Sequence, residues 1–319
     1  MVLATESPDI DILWFFGGSV TGFAHHRGFT HTLLGAPVMA AATVGGVYGI
    51  YRLLRRRRNW KPRLEPRWGV LFLCALVGVF IHILQDWTNN YGVRPLAPFH
   101  PRWYSLDLVS IVDPIMLAAL ALGLLVPALL GLVTEEVGAA RSGFRGRGGA
   151  IFALLVLAAV IGVRGLEHRR AVTALNSVMF RSEDPIRVSA YPYPLNPFAW
   201  GGVIETRDFF QIVQVDSLTG QFDPEDQTMS RFKPAETPVT LAAKQSRLGR
   251  FYLDWAHFPL VSVHSLPGRA GYRVEFQDLR FAYSRELPPG VPTPLTGYVE
   301  LDPQLRVIDQ YMGAPPRER

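Results

Sequence analysis

Four runs without a single Asp, Glu, Lys or Arg dominate the first half of this chain, at residues 28–51, 68–85, 114–134 and 148–163. A helix crosses the hydrocarbon core of a bilayer with about 20 apolar residues, and about 17 is the lower end of the range. The first and third runs meet that length, and the second and fourth are shorter. Charged residues make up 18% of the chain against about a quarter in an ordinary soluble domain, so a polytopic α-helical membrane bundle of about four spans is expected over residues 1–170. A cleaved signal peptide does not fit, because Asp and His rather than a basic segment precede the first run.

The charge pattern sets an orientation. Eight Lys and Arg lie between Arg52 and Arg67, and Arg141, Arg145 and Arg147 follow the third run, whereas residues 86–113 carry only Arg94 and Arg102. Lys and Arg are retained on the cytoplasmic side, so residues 1–30, residues 86–113 and everything after about 167 are expected on the extracytoplasmic side. An outside N-terminus with no apolar segment before it is awkward to insert. One further span upstream of Met1 is therefore expected.

Residues 171–319 have a different character, with a formal charge of −2 against +7 for the first 170. Segments 207–215, 271–276, 279–283 and 297–301 are rich in aromatic and β-branched residues and are bounded by Gly, Pro and Asp, which predicts a small extracytoplasmic antiparallel β domain. Pro192, Pro194 and Pro197 predict a rigid linker near 191–198, just beyond a helical stalk at 170–180. The single cysteine, Cys74, rules out an intrachain disulfide and a Cys-based metal site.

Chemistry-bearing residues gather where this topology puts the outer ends of the helices. Asp9 and Asp11 form one cluster with His25, His26, Arg27 and His31; His82 and Asp86 form a second; Asp107 and Asp113 form a third. His82 and Asp86 are four apart on a helix and project from one face, able to share a metal ion. An imidazole inside an apolar span is costly unless it is paired or faces a polar cavity. The Asp9/Asp11 pair offers oxygen, and His26 and His31 offer nitrogen. Such mixed sets suit zinc, manganese or ferrous iron better than calcium. Each piece alone has a plain alternative: a turn for PDID, a solvated loop for the paired histidines, a water-facing helix end for Asp86. Their convergence from three separated segments favours a site. Arg27 is either a surface residue or a contact for an anionic group. Asp254, His257 and His264 in the second half are not expected to be ligands, since strand alternation would put the two histidines on opposite faces.

PDIDIL, HHRGFTHTLL, HILQDWTNNYGVRPLAPF and RWYSLDLVSIVDP, in that order over about residues 7–120, resemble the bacterial inner-membrane metal-dependent hydrolases of the YdjM/YbcI type. YPYPLNPFAWGGVIET is similar to the tail of longer members. The resemblance implies a metal-binding set of Asp9, Asp11, His26, His31, His82 and Asp86, with Asp107 and Asp113 as supporting acids. The sequence departs from the pattern before Ser7, where members carry a helix with a Thr-His pair and a Gly. It also departs at Thr32, where many have Ser.

These features predict a multi-pass protein of the bacterial inner membrane holding one or two divalent ions, zinc above manganese or iron. Its expected reaction is attack of a metal-activated water on a phosphoester of lipid or envelope origin, with Asp86 or Asp107 taking the proton and Arg27 stabilising developing charge. The alternative is a non-catalytic membrane scaffold or regulatory protein with a structural metal. Expected partners are membrane lipid, a small-molecule or lipid substrate, and an envelope component for the β domain. No nucleic acid is expected, because the positive-inside rule and anionic-lipid attraction account for the run Arg55–Arg58.

Overall fold

The computed structural model describes residues 1–58, 65–136, 146–223, 230–266, 268–282 and 293–313. In chain order its helices are α1 (Val2–Thr5), α2 (Ser19–His25), α3 (Gly35–Arg58), α4 (Trp68–Thr88), α5 (Pro114–Glu136), α6 (Arg147–Asn176), α7 (Pro238–Lys244) and α8 (Arg247–Trp255). Its strands are β1 (Arg187–Pro192), β2 (Ala199–Glu205), β3 (Phe209–Asp216), β4 (Ser230–Phe232), β5 (Pro259–Ser265), β6 (Tyr272–Asp278), β7 (Gly297–Leu301) and β8 (Val307–Met312). An eleven-residue 3-10 segment, Ser7–Gly17, links α1 to α2. The chain forms two compact units, Met1–Leu106 with Pro234–Arg319, and Asp107–Lys233.

The first unit joins the two ends of the chain. Ala4 of α1, Ala36 and Ala40 of α3, and Ala75, Val79 and Ile83 of α4 make a core of small side chains, which lets helix backbones approach without a large hydrophobic driving force. Gly78 serves this packing, since a Cβ there would meet Thr5 Oγ1 at 2.9 Å. The α4 helix has 21 residues, or about 31 Å at 1.5 Å per residue. Strands β5–β8 form an antiparallel meander in sequence order. Their apolar face, with Val261, Val274, Phe276 and Val299, packs on Tyr252 and Trp255 of α8 and on Phe23, Tyr91 and Trp103 from the helical region.

In the second unit, α5 packs on α6 where Gly123 and Gly149 bring backbone against backbone. Sheet β1-β2-β3-β4 is also antiparallel. It closes over Ala171 and Leu175 of α6 with Trp200, Ile204, Phe209 and Val213. Asp113 Oδ1 accepts from the amides of Ile115 and Met116 at 3.1 Å, capping α5. Its other oxygen meets the buried Arg164 of α6 at 2.6 Å.

Several expectations change. Among the described residues two helices are long and apolar enough to cross a membrane, α4 and α6, or three if Ser19–His31 and Gly35–Arg57, bent by 87°, count as one. The run at 28–51 is not one continuous helix, because Thr32 Oγ1 caps the amide of Gly35 at 2.8 Å and α3 starts there. In α5 the apolar part is the shorter Pro114–Leu129. The expected single β domain is two small sheets, one in each unit. The compositional boundary at 170 falls inside α6. Pro192 ends edge strand β1, a place that tolerates its missing N–H, and residues 193–198 are the β1-β2 connection, closed by the Tyr193 amide on Ala199 O at 3.2 Å. Instead of a strand, Leu279–Phe281 is a 3-10 turn capped by Asp278, and 283 lies outside the described residues.

Candidate metal centre

The first turn of the Ser7–Gly17 segment brings Asp9 to the side of α4, and Gly18, at φ 100°, ends the segment where only glycine is unstrained. After α2 the chain turns sharply at Arg27, a non-glycine residue at φ 51°. Its amide donates to Asp11 Oδ2 at 2.7 Å, which holds that conformation. The turn delivers the fully buried His31 to the face of α4 that carries His82 and Asp86.

Four atoms converge there: Asp9 Oδ1, His31 Nε2, His82 Nε2 and Asp86 Oδ2. His31 Nε2 lies 3.2 Å from Asp9 Oδ1, 3.3 Å from Asp86 Oδ2 and 3.3 Å from His82 Nε2. His82 Nε2 lies 3.4 Å from Asp9 Oδ1 and 3.5 Å from Asp86 Oδ2. Zinc–nitrogen and zinc–oxygen bonds of roughly 2.0–2.1 Å imply tetrahedral edges of about 3.3–3.4 Å, so these separations fit one ion at the centre. Asp86 Oδ2 is buried with His31 Nε2 and His82 Nε2 at 3.3 and 3.5 Å, and a cation between these atoms would satisfy all three. The cluster could therefore hold a metal ion.

A ring of polar groups fixes these side chains. His31 Nδ1 lies 3.2 Å from Asp11 Oδ2 and 3.0 Å from Thr30 Oγ1. A carboxylate on Nδ1 keeps the proton there and turns the Nε2 lone pair to the cluster. Asp11 Oδ1 also lies 3.2 Å from His26 Nδ1. Arg27 donates to Asp86 Oδ1 at 2.8 Å, Asn89 Oδ1 at 3.1 Å and Gly92 O at 2.9 Å, with its guanidinium over Tyr91. The adjoining His31 and then His82 imidazoles hold the Asp9 carboxyl well below the usual carboxylate range. Burial pushes the Asp11 carboxyl up, but bonds from His26 and His31 outweigh it and the net direction is down.

Of the six residues expected as ligands, the structure brings Asp9, His31, His82 and Asp86 together and sets Asp11 and His26 beside them, outside the four-atom group. Arg27 is buried and engaged with protein acceptors. Asp107, buried at φ 55°, and Asp113 belong to the second unit. Asp254 accepts from Trp103 Nε1 at 3.3 Å. His257 precedes β5, and His264 pairs with Glu275 at 3.3 Å. Thr30, Asn89 and Tyr91 were present in the quoted motifs but carried no assigned role. Thr30 directly precedes His31, and Asn89 and Tyr91 follow Asp86 by three and five residues.

The family described as YdjM inner membrane protein matches residues 1–171. The chain belongs to that family. This match agrees with the resemblance carried by the PDIDIL, HHRGFTHTLL and HILQDW motifs, and it covers the ligand cluster and every helix from α1 to α5. The chain is also similar to the uncharacterized protein YfhP of Bacillus subtilis (strain 168), 27% identical over 122 residues, which is 37% of this chain and 34% of that protein. The aligned part thus spans about a third of that relative. No solved structure matches the chain.

Proposed function

We propose that this YdjM-family chain is a membrane-bound, metal-dependent hydrolase acting on a phosphoester at the extracytoplasmic face of the bacterial inner membrane, as a multi-pass protein with its C-terminus outside. The convergence of Asp9, His31, His82 and Asp86 at tetrahedral edge lengths carries this proposal. Two nitrogens and two oxygens favour zinc over manganese or iron. A bound ion would supply Lewis-acid polarisation of the phosphoryl oxygen and activation of water.

The chain's own residues do the rest. Arg27 holds Asp86 by Oδ1 and so aims Oδ2. Asp11 orients two histidines, His31 through Nδ1 and His26 through Nδ1. That engagement leaves Nε2 of the part-exposed His26 to move a proton. Asp9 is 48% exposed at its side chain, so substrate would enter on its side.

The complete set of four protein donors supports a second reading, a structural metal in a scaffold protein, because catalytic sites usually keep a position open. Elemental analysis of detergent-purified protein, followed by a mono- and diester screen, separates the two. Turnover that disappears with the metal in His82→Ala supports the hydrolase; stoichiometric metal with no turnover of any ester supports the scaffold.

A further inference from the structure

The Ser7–Gly17 segment combines two ligating-type acids with a dense apolar surface. Asp9 and the buried Asp11 turn toward the histidines, while Ile10, Ile12, Leu13, Trp14, Phe15 and Phe16 are all exposed, Phe16 at 89%. Six adjoining large apolar residues facing water would be a heavy cost. Their position on α4 explains them. Asp9 Oδ1 sits 3.4 Å from His82 Nε2, and His82 lies six residues before the end of α4 at Thr88, roughly 9 Å inside it at 1.5 Å per residue. If α4 crosses a bilayer, the segment lies about one turn and a half below the helix end, the depth of the boundary between headgroups and acyl chains, where interfacial elements immerse an apolar face by about 5–10 Å.

The exposed apolar face of α4 itself, with Val77, Ile81 and Leu84, is lipid-facing by the same measure, so the segment continues a surface already committed to lipid. Trp14 stacks on His25 with ring centroids 4.4 Å apart, a ring at the depth where tryptophans collect. Non-helical backbone is excluded from lipid unless its polar groups are satisfied, and a 3-10 segment satisfies its own.

We propose that Ser7–Gly17 is a lipid-immersed element that carries the ligand Asp9 at the headgroup boundary, so that the centre takes a phosphate group borne on a bilayer lipid and approaching sideways in preference to a soluble phosphate. The substrate half rests on the hydrolase assignment; the immersion half does not. Spin labels at Phe16→Cys and, as a reference on exposed β8, Asp309→Cys, both in a Cys74→Ala background, are to be read in vesicles of phosphatidylethanolamine and phosphatidylglycerol. The Phe16 label is expected to relax several-fold more with oxygen than with a water-soluble nickel chelate, and the Asp309 label the reverse. Equal nickel access at both overturns the immersion.

The second arm compares phosphatidic acid in those vesicles with p-nitrophenyl phosphate. Phe16→Ser is expected to lower turnover of the lipid several-fold and leave the soluble ester unchanged. Wild-type turnover of the soluble ester alone overturns the lipid substrate with the hydrolase intact. Turnover of neither overturns the hydrolase assignment, with the immersion judged by the labels.

Discussion

Arg27 Nη2 donates to Asp86 Oδ1 over 2.8 Å while the other oxygen of that carboxylate stands 3.3 Å from His31 Nε2. One side chain from the turn after α2 thus aims a carboxylate on α4, and the same guanidinium reaches Asn89 and Gly92 beyond the helix end. Arg27→Lys keeps the charge but loses the planar fork that makes these bonds together. Competition with a chelator should show metal affinity lowered by about 10–100-fold, the usual cost of losing a partner behind a ligand. Unchanged affinity would separate Arg27 from the centre.

His82→Ala and Asp86→Ala should each sharply reduce bound metal while the protein still inserts in the membrane. His257→Ala, in the turn before β5, should leave it unaltered. Elemental analysis of the three purified variants is the check, and equal metal in all of them would end the assignment of the cluster.

Ligand and proton carrier can be told apart at His26. His26→Ala should retain metal and lose turnover, whereas Asp11→Asn should lower metal affinity by about 10–100-fold through the freed His31 ring. If His26→Ala empties the centre instead, His26 is itself a ligand.

The C-terminal sheet should matter to the centre through the turn after α4. Trp255 Nε1 donates to Tyr91 O at 3.1 Å, and the fully buried Arg280 pairs with Asp278 at 2.8 Å and donates to Asn90 O at 2.8 Å. Arg280→Leu leaves Asp278 buried without its counter-ion, a loss of about 3–5 kcal/mol. Thermal unfolding in detergent should show it, and metal should be released with it, since Asn89 and Gly92 hold Arg27.

Glu300 sets an acid limit on the same sheet. Burial pushes its carboxyl up, but Arg273 and Arg269 outweigh that and hold it below the ordinary range. A lowered folded-state pKa contributes stability that is present above the ordinary glutamate value of about 4.3 and is lost as pH falls through the folded one. Wild type should therefore exceed Glu300→Gln in stability at neutral pH, and the gap should close in acid. A gap independent of pH would mean that the ion pairs contribute nothing.

The ligand types were legible in the chain because their chemistry is local: His82 and Asp86 share a helix face by spacing alone, and an imidazole in an apolar run stands out on free-energy grounds. The helices were legible because a run of apolar residues must be helical in lipid. The break at 26–34 was not, since it depends on Arg27 held at positive φ by Asp11, sixteen residues earlier. Composition put a boundary at 170, but composition records what surrounds a segment, not which segment it packs against. Only long-range packing could send β5–β8 back to the first half of the chain, where Trp255 and Arg280 grip the turn at Asn90 and Tyr91. Nor could spacing separate Asp9 from Asp11: two residues apart, both carboxylates turn to His31, and the tertiary fold alone puts one in the four-atom cluster and the other behind it.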